Sequence, residues 1–167
     1  NSYKTYTPTK ADTILQKAII KRGFANIENI KKIIQTGDLI TRTGKDFTSE
    51  SLRNLNQRNQ TYSHCGIISI EQDSIFVYHA LGGEFNPDQL LKREAFEYFA
   101  EPYNNKGIGI FRFSIEDSIK QNFVTVAKDH FNSQLMFDMD FDLKTDDRMY
   151  CAEFVYKTLD TASNNKL

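Results

Sequence analysis

Asp146-Asp147-Arg148-Met149-Tyr150-Cys151-Ala152-Glu153-Phe154-Val155-Tyr156-Lys157-Thr158-Leu159 decides how the rest of the chain is read. Cys151, Phe154, Val155 and Thr158 stand at i, i+3, i+4 and i+7, so they share one face of a helix. Asp146 or Asp147 is the expected N-cap, because a short carboxylate satisfies N–H groups left unpaired at a helix start. The Cys151 thiol then falls in the first turn, where the positive end of the helix dipole favours thiolate, the nucleophilic form. The other residues are read as scaffold and partners for this sulfur.

The chain has 167 residues, 40% of them hydrophobic, with thirteen Phe and eight Tyr. That is enough apolar material for one domain over residues 1–167 with a core that needs neither disulfides nor a metal. A net charge of −1 supplies no basic field and argues against nucleic acid as a partner. No apolar run is long enough to cross a bilayer. The sequence opens on Asn1-Ser2 without a methionine, from which we expect an upstream segment to have been removed and the protein to be extracytoplasmic or periplasmic. Cys65 and Cys151 are the two cysteines. One bridge and two free thiols both satisfy that count.

Ahead of a core expected over about 37–160, residues 11–36 read as two short helices. Ile14, Leu15, Ala18 and Ile19 mark the first, stopped by Gly23, and Ile27, Ile30, Ile33 and Ile34 mark the second, closed by Gly37. Asp38–Arg42 reads as a strand, and a helical turn is expected around Ser49–Leu55. Ser63–Ile70 and Ile75–Ala80 are rich in β-branched and aromatic residues and flank a turn at Glu71–Ser74, so they form a hairpin. With Ile70 opposite Ile75, His64 and His79 become diagonal neighbours on one face, their backbones roughly 7–8 Å apart. Cys65 points to the other face. A short helical stretch is expected around Asp88–Phe99, a strand at Gly107–Phe113 and a long amphipathic helix over Ile119–Phe131, with Asp117 or Ser114 near its start. Phe137–Leu143 alternates strictly and reads as extended, with its carboxylates on a solvated side.

A thiol activated by imidazole, itself oriented by a third polar group, is the general arrangement of nucleophilic catalysis. Cys151, His64 and His79 fill those three places, and the Cys151 N–H is a natural oxyanion donor in the unpaired first turn. Taken singly, a free Cys is more often a small buried hydrophobe, and a strand His a satisfied core residue.

Gly37-Asp38-Leu39-Ile40, Ser63-His64-Cys65-Gly66-Ile67, Val77-Tyr78-His79-Ala80 and the stretch from Asp146 to Tyr156, in that order, resemble the circularly permuted NlpC-type papain-like proteins. The YiiX/YebB-like branch is the nearest likeness, and lecithin retinol acyltransferase a distant one. The histidine strand precedes the cysteine helix, which is the permuted order. The resemblance implies an α+β papain-like fold, a small antiparallel sheet packed on helices, with Cys151 as nucleophile, His64 as base and His79 in the third polar position. That position is often Glu in the nearest branch, so His79 departs toward the acyltransferase pattern. The implied activity is hydrolysis of an amide or ester through an acyl-enzyme, on a peptide- or lipid-linked small substrate, without a cofactor. A non-catalytic binding module and a thioester acyltransferase are the rival readings.

Tyr62 and Tyr150 flank the catalytic candidates and could donate a phenol hydrogen bond to substrate, though aromatics there more often pack. Asp142 is a candidate for holding a substrate amine. Asp38 is read as bracing a turn. The run Asp138-x-Asp140-x-Asp142 fails as a calcium loop, because Leu143 and Met149 stand where Gly and Glu are required. Two His and two Cys raise zinc, but no close ligand pair exists and His64 and Cys65 alternate faces.

Overall fold

The computed structural model describes residues 8–82 and 88–166. In chain order the elements are α1 (Lys10–Lys31), β1 (Leu39–Gly44), α2 (Phe47–Leu55), β2 (His64–Glu71), β3 (Ser74–His79), β4 (Lys92–Ala95), α3 (Phe96–Phe99), β5 (Asn105–Phe111), α4 (Asp117–Asn132) and α5 (Cys151–Ala162). The hairpin of β2 and β3 has the register expected of it, Ile70 opposite Ile75 and Ile67 opposite Tyr78. Around it the five strands order as β4-β3-β2-β1-β5, with every neighbouring pair antiparallel. The architecture is α+β.

Strand alternation divides the core between two faces. Ile67, Tyr78 and Ala80 join Phe123, Ala127 and Phe154 of α4 and α5 on one side. Ile40, Ile68 and Val77 join Ile27 of α1 and Phe96 and Phe99 of α3 on the other. His64 and His79 follow the parity of Ile68 and Val77, and both rings pack on Phe99, centroids 5.6 and 5.0 Å away. Cys65 follows Ile67 and packs against the α4–α5 side.

Four expectations are corrected. The two N-terminal helices are one helix, which runs through Gly23 without stopping. A Cβ at Gly23 would stand 2.8 Å from the Pro102 Cβ, so this glycine serves close packing rather than a helix end. The helix expected within Asp88–Phe99 is instead β4 followed by the single turn α3, because pairing with the open edge of β3 outweighs the helix preference of Lys92-Arg93-Glu94-Ala95.

Phe137–Leu143 is not a strand. Asp138 is buried rather than solvated, and its carboxylate accepts the N–H groups of Asp140 and Asp142 at 2.8 and 2.7 Å, which coils the segment. Nor do Asp146 and Asp147 cap the cysteine helix: Asp146 pairs with Lys157 at 2.8 Å, and the cap is Tyr150. Of the polar segment expected to be loose over residues 1–10 and the charged segment expected over Glu84–Glu101, residues 1–7 and 84–87 lie outside the described residues.

Asp38 braces its turn. It is buried, accepts the Gln35 N–H at 2.8 Å and holds the Arg112 guanidinium through two 2.8 Å hydrogen bonds.

Candidate active site

Helix α5 begins at Cys151 itself, so the cysteine occupies the first helical position. Tyr150 caps the helix, and its own N–H is taken by Glu153 Oε2 at 3.2 Å. The first bond inside the helix runs from the Phe154 N–H to the Tyr150 carbonyl, which leaves the Cys151 N–H without an intrahelical acceptor.

Cys151 meets the sheet where β2 begins, beside Cys65. Its sulfur stands beside Cys65 and the His64 ring at the head of the groove. The Cys65 thiol does most to hold the Cys151 thiol well below its ordinary range; burial opposes this, and His64 adds to the lowering. Cys65 moves the other way, pushed up first by its hydrogen bond to Cys151 and then by burial. The two sulfurs thus divide their protons unequally. Cys151 is the one with the helix terminus and the imidazole, so it gives up its proton more readily than Cys65.

Behind the thiol, the polar groups run in a line. His64 Nε2 lies 2.9 Å from His79 Nδ1. His79 Nε2 lies 3.1 Å from Glu94 Oε2 in an ion-pair contact, and neither buried atom has a hydrogen-bond partner. His79 is fully buried, and burial lowers its pKa to about 4 despite the facing carboxylate. Burial pushes Glu94 up, but the contact with His79 holds it below its usual range. Proton positions follow from Glu94, which as an anion can only accept. The proton on His79 sits on Nε2, His79 Nδ1 accepts from His64 Nε2–H, and the lone pair of His64 is left on Nδ1, the nitrogen turned from His79. Arg42, across the ladder from His64, stacks over Phe99 at 4.4 Å and donates to the Phe99 carbonyl at 3.1 Å.

The thiol opens onto a groove of about 1110 Å³ lined by His64, Cys65, Cys151, Tyr62, Tyr150 and Arg42 among others. Leu52, Leu55, Phe111 and Phe141 give it apolar walls. Tyr62 packs edge-on to Phe111 at 5.9 Å, and the Tyr150 ring lies 5.1 Å from that of Phe141.

Of the residues singled out from sequence, Cys151, His64, His79, Tyr62 and Tyr150 thus come together. Asp142 does not join them. It is exposed, accepts the Lys144 N–H at 3.1 Å and does not line the groove. Sequence reasoning missed two members. Cys65 was set aside for pointing away from His64, but the face it points to carries α5. Glu94 lies inside the expected helix; as a strand residue it pairs with Val77 and so shares the face of the sheet that carries His79.

No protein-family model matches the chain. No curated protein matches it in sequence. Among solved structures it resembles the crystal structure of metalloprotein yiiX from Escherichia coli O157:H7, DUF1105. The TM-score is 0.60 and the identity 23%, over 78% of this chain and 67% of that one. The likeness is one of fold.

Proposed function

We propose that the chain is a thiol hydrolase that cleaves an amide or ester bond through an acyl-enzyme, in a permuted papain-like fold of the YiiX type. The observation that carries this reading is the line from Cys151 through His64 and His79 to Glu94, with its sulfur end open to the groove. The Cys151 proton passes to His64 Nδ1, and the thiolate attacks the substrate carbonyl. The Cys151 N–H, uncommitted within the helix, donates to the oxyanion. His64 returns the proton to the leaving amine or alcohol, then draws one from the water that deacylates the enzyme. His79 stays neutral throughout, passing the orientation imposed by Glu94 to His64. The apolar walls favour a substrate with a hydrophobic acyl part, in keeping with a lipid- or peptide-linked amide.

The yiiX protein is described as a metalloprotein. Among the described residues no group of three or more His, Cys, Asp or Glu is placed to hold a metal ion. His64 and His79 spend nitrogens on each other, and His79 spends its second on Glu94. These donors do not fit a metal centre.

The test is mass spectrometry of the intact chain with p-nitrophenyl acyl esters and acyl anilides. A covalent adduct on Cys151 that turns over, and that is absent in Cys151→Ala, is the expected result. Retention of the intact compounds with no adduct would leave a binding module instead. Adducts released only by an added amine would make it a transferase.

A further inference from the structure

The hydrolytic reading uses one sulfur of two. Cys65 stands at the second position of β2 and Cys151 at the first of α5. Both are free, both are half-buried, and both line the same groove. Cys65 packs against the cluster that holds Phe154 and Val155 of α5, the helix that Cys151 opens, so the two thiols stand beside each other. They are the only cysteines in the chain. A lone nucleophilic thiol meeting a peroxide has nothing beside it to stop oxidation beyond the first step. This one has a second thiol in contact.

We propose that Cys65 and Cys151 form a reversible intramolecular disulfide when a hydroperoxide enters the groove, Cys151 being the attacked thiol and Cys65 the resolving one. The Cys151 thiolate attacks the terminal peroxide oxygen and the O–O bond breaks. The alkoxide or hydroxide released takes a proton and leaves as alcohol or water, and Cys151, oxidised by two electrons, becomes a sulfenic acid. Cys65 sulfur then attacks the Cys151 sulfur, and the S–O bond breaks. The departing hydroxide carries off the Cys65 proton as water. In sum, two thiols and one hydroperoxide give one disulfide, one alcohol (or water) and one water.

The order of the two sulfurs follows from their environments. The thiolate-favouring groups converge on Cys151, so it reacts first. Once it is a sulfenic acid its charge is gone, and of the influences that hold the Cys65 thiol up, the hydrogen bond to the Cys151 thiolate and its repulsion are lost while burial stays. The resolving thiol is thereby released when it is needed. In the disulfide the sulfur has no lone thiolate to attack a carbonyl, so acylation stops until a reductant restores it. The inference rests on the placement of the two thiols side by side in the groove and not on any acyl substrate.

Free-thiol titration of the full chain, followed by peptide mapping without reductant, tests this. One equivalent of hydrogen peroxide should remove both thiols and join the Cys65 and Cys151 peptides. Labelling of Cys151 by iodoacetamide should be lost in parallel, and dithiothreitol should restore it completely. In Cys65→Ser, peroxide should drive Cys151 on to sulfinic acid, which dithiothreitol does not reverse. In Cys151→Ser, whose fold is checked by circular dichroism, Cys65 should stay reduced under the same treatment. A wild-type chain that ends as Cys151 sulfinate with Cys65 reduced, or as a disulfide-linked dimer, overturns the proposal. Neither readout involves acyl turnover. A disulfide without esterase activity would sink the hydrolase reading alone, and turnover with irreversible oxidation would sink only this one.

Discussion

His64 and His79, fifteen positions apart in sequence, face each other through Nε2 and Nδ1 at 2.9 Å, their rings nearly perpendicular at 78°. Two neutral imidazoles in contact can orient their protons in either direction. What selects the direction is Glu94, 3.1 Å beyond His79. Glu94→Gln keeps the shape but replaces an obligate acceptor with an amide that can also donate. The lone pair of His64 is then no longer held on Nδ1. Alkylation of Cys151 by iodoacetamide at mildly acidic pH should fall roughly tenfold, the usual scale for losing an orienting partner. His64→Asn, which removes the base itself, should cost hydrolysis on the order of 10²-fold or more. An unchanged alkylation rate in Glu94→Gln would remove Glu94 from the line.

The same buried ring makes stability depend on pH. Burial lowers the His79 pKa from 6.5 to about 4. A depressed base is neutral in the folded chain while the unfolded chain still binds a proton, so the stabilisation is complete above 6.5 and drains away as pH falls toward 4. A shift of that size corresponds to about 3 kcal/mol. Glu71 follows at lower pH. Burial pushes it up, but hydrogen bonds from Arg93, Tyr78 and Lys128 hold it at about 2 against an ordinary 4.5. Its contribution is present above 4.5 and is lost between there and about 2. Urea unfolding at a series of pH values should therefore show stability declining in two successive steps on acidification. His79→Gln should flatten the upper step and leave the lower one.

How much of this was legible depended on whether a segment's local pattern agreed with its tertiary role. The hairpin register was readable because Ile67, Ile68, Val77 and Tyr78 are buried on both faces, and a one-residue slip would turn each of them over. The diagonal meeting of His64 and His79 followed directly. Glu94 was not readable, since Lys-Arg-Glu-Ala favours a helix and only the vacant edge of β3 makes it a strand. Gly23 misled for the opposite reason: a residue that usually ends helices was recruited to let Pro102 approach. At Asp138 the alternating pattern was real, but a buried carboxylate that captures backbone N–H groups follows no period. The role of Cys65 required knowing which face α5 covers, and a strand's own alternation does not carry that.

Gly66 is the position in β2 on which the meeting of the two histidines depends. A Cβ there would stand 2.6 Å from Val77 Cγ1, 2.9 Å from the Tyr78 carbonyl oxygen and 3.0 Å from His79 Cβ. All three atoms belong to β3 backbone or to fully buried side chains, so none can step aside without moving the strand. Gly66→Ala should cost about 1–3 kcal/mol, the range for overpacking. That is several degrees of melting temperature at this chain length. It should also lower Cys151 reactivity, because displacing β3 carries His79 away from His64. A variant that loses stability but keeps the alkylation rate would show that β3 shifts without its histidine.

Helix α5 sets where the sulfur sits, and Phe154 fixes α5 to the sheet. Phe154 is fully buried between α4 and the sheet, with the His130 ring 6.2 Å away, whereas Tyr156 two positions later is 58% exposed. Phe154→Ala should cost about 3–5 kcal/mol, since the site loses both the transfer energy and the packing around the void. Tyr156→Ala should stay within about 0.5 kcal/mol. The two variants separate docking from local helix content, because both replace an aromatic with alanine in the same turn. A loosened α5 no longer holds Cys151 against Cys65 and His64, so the pH midpoint for alkylation in Phe154→Ala should move up toward that of an ordinary thiol. In Tyr156→Ala it should stay where it is. Equal effects from both substitutions would mean that α5 owes its position to something other than this buried face.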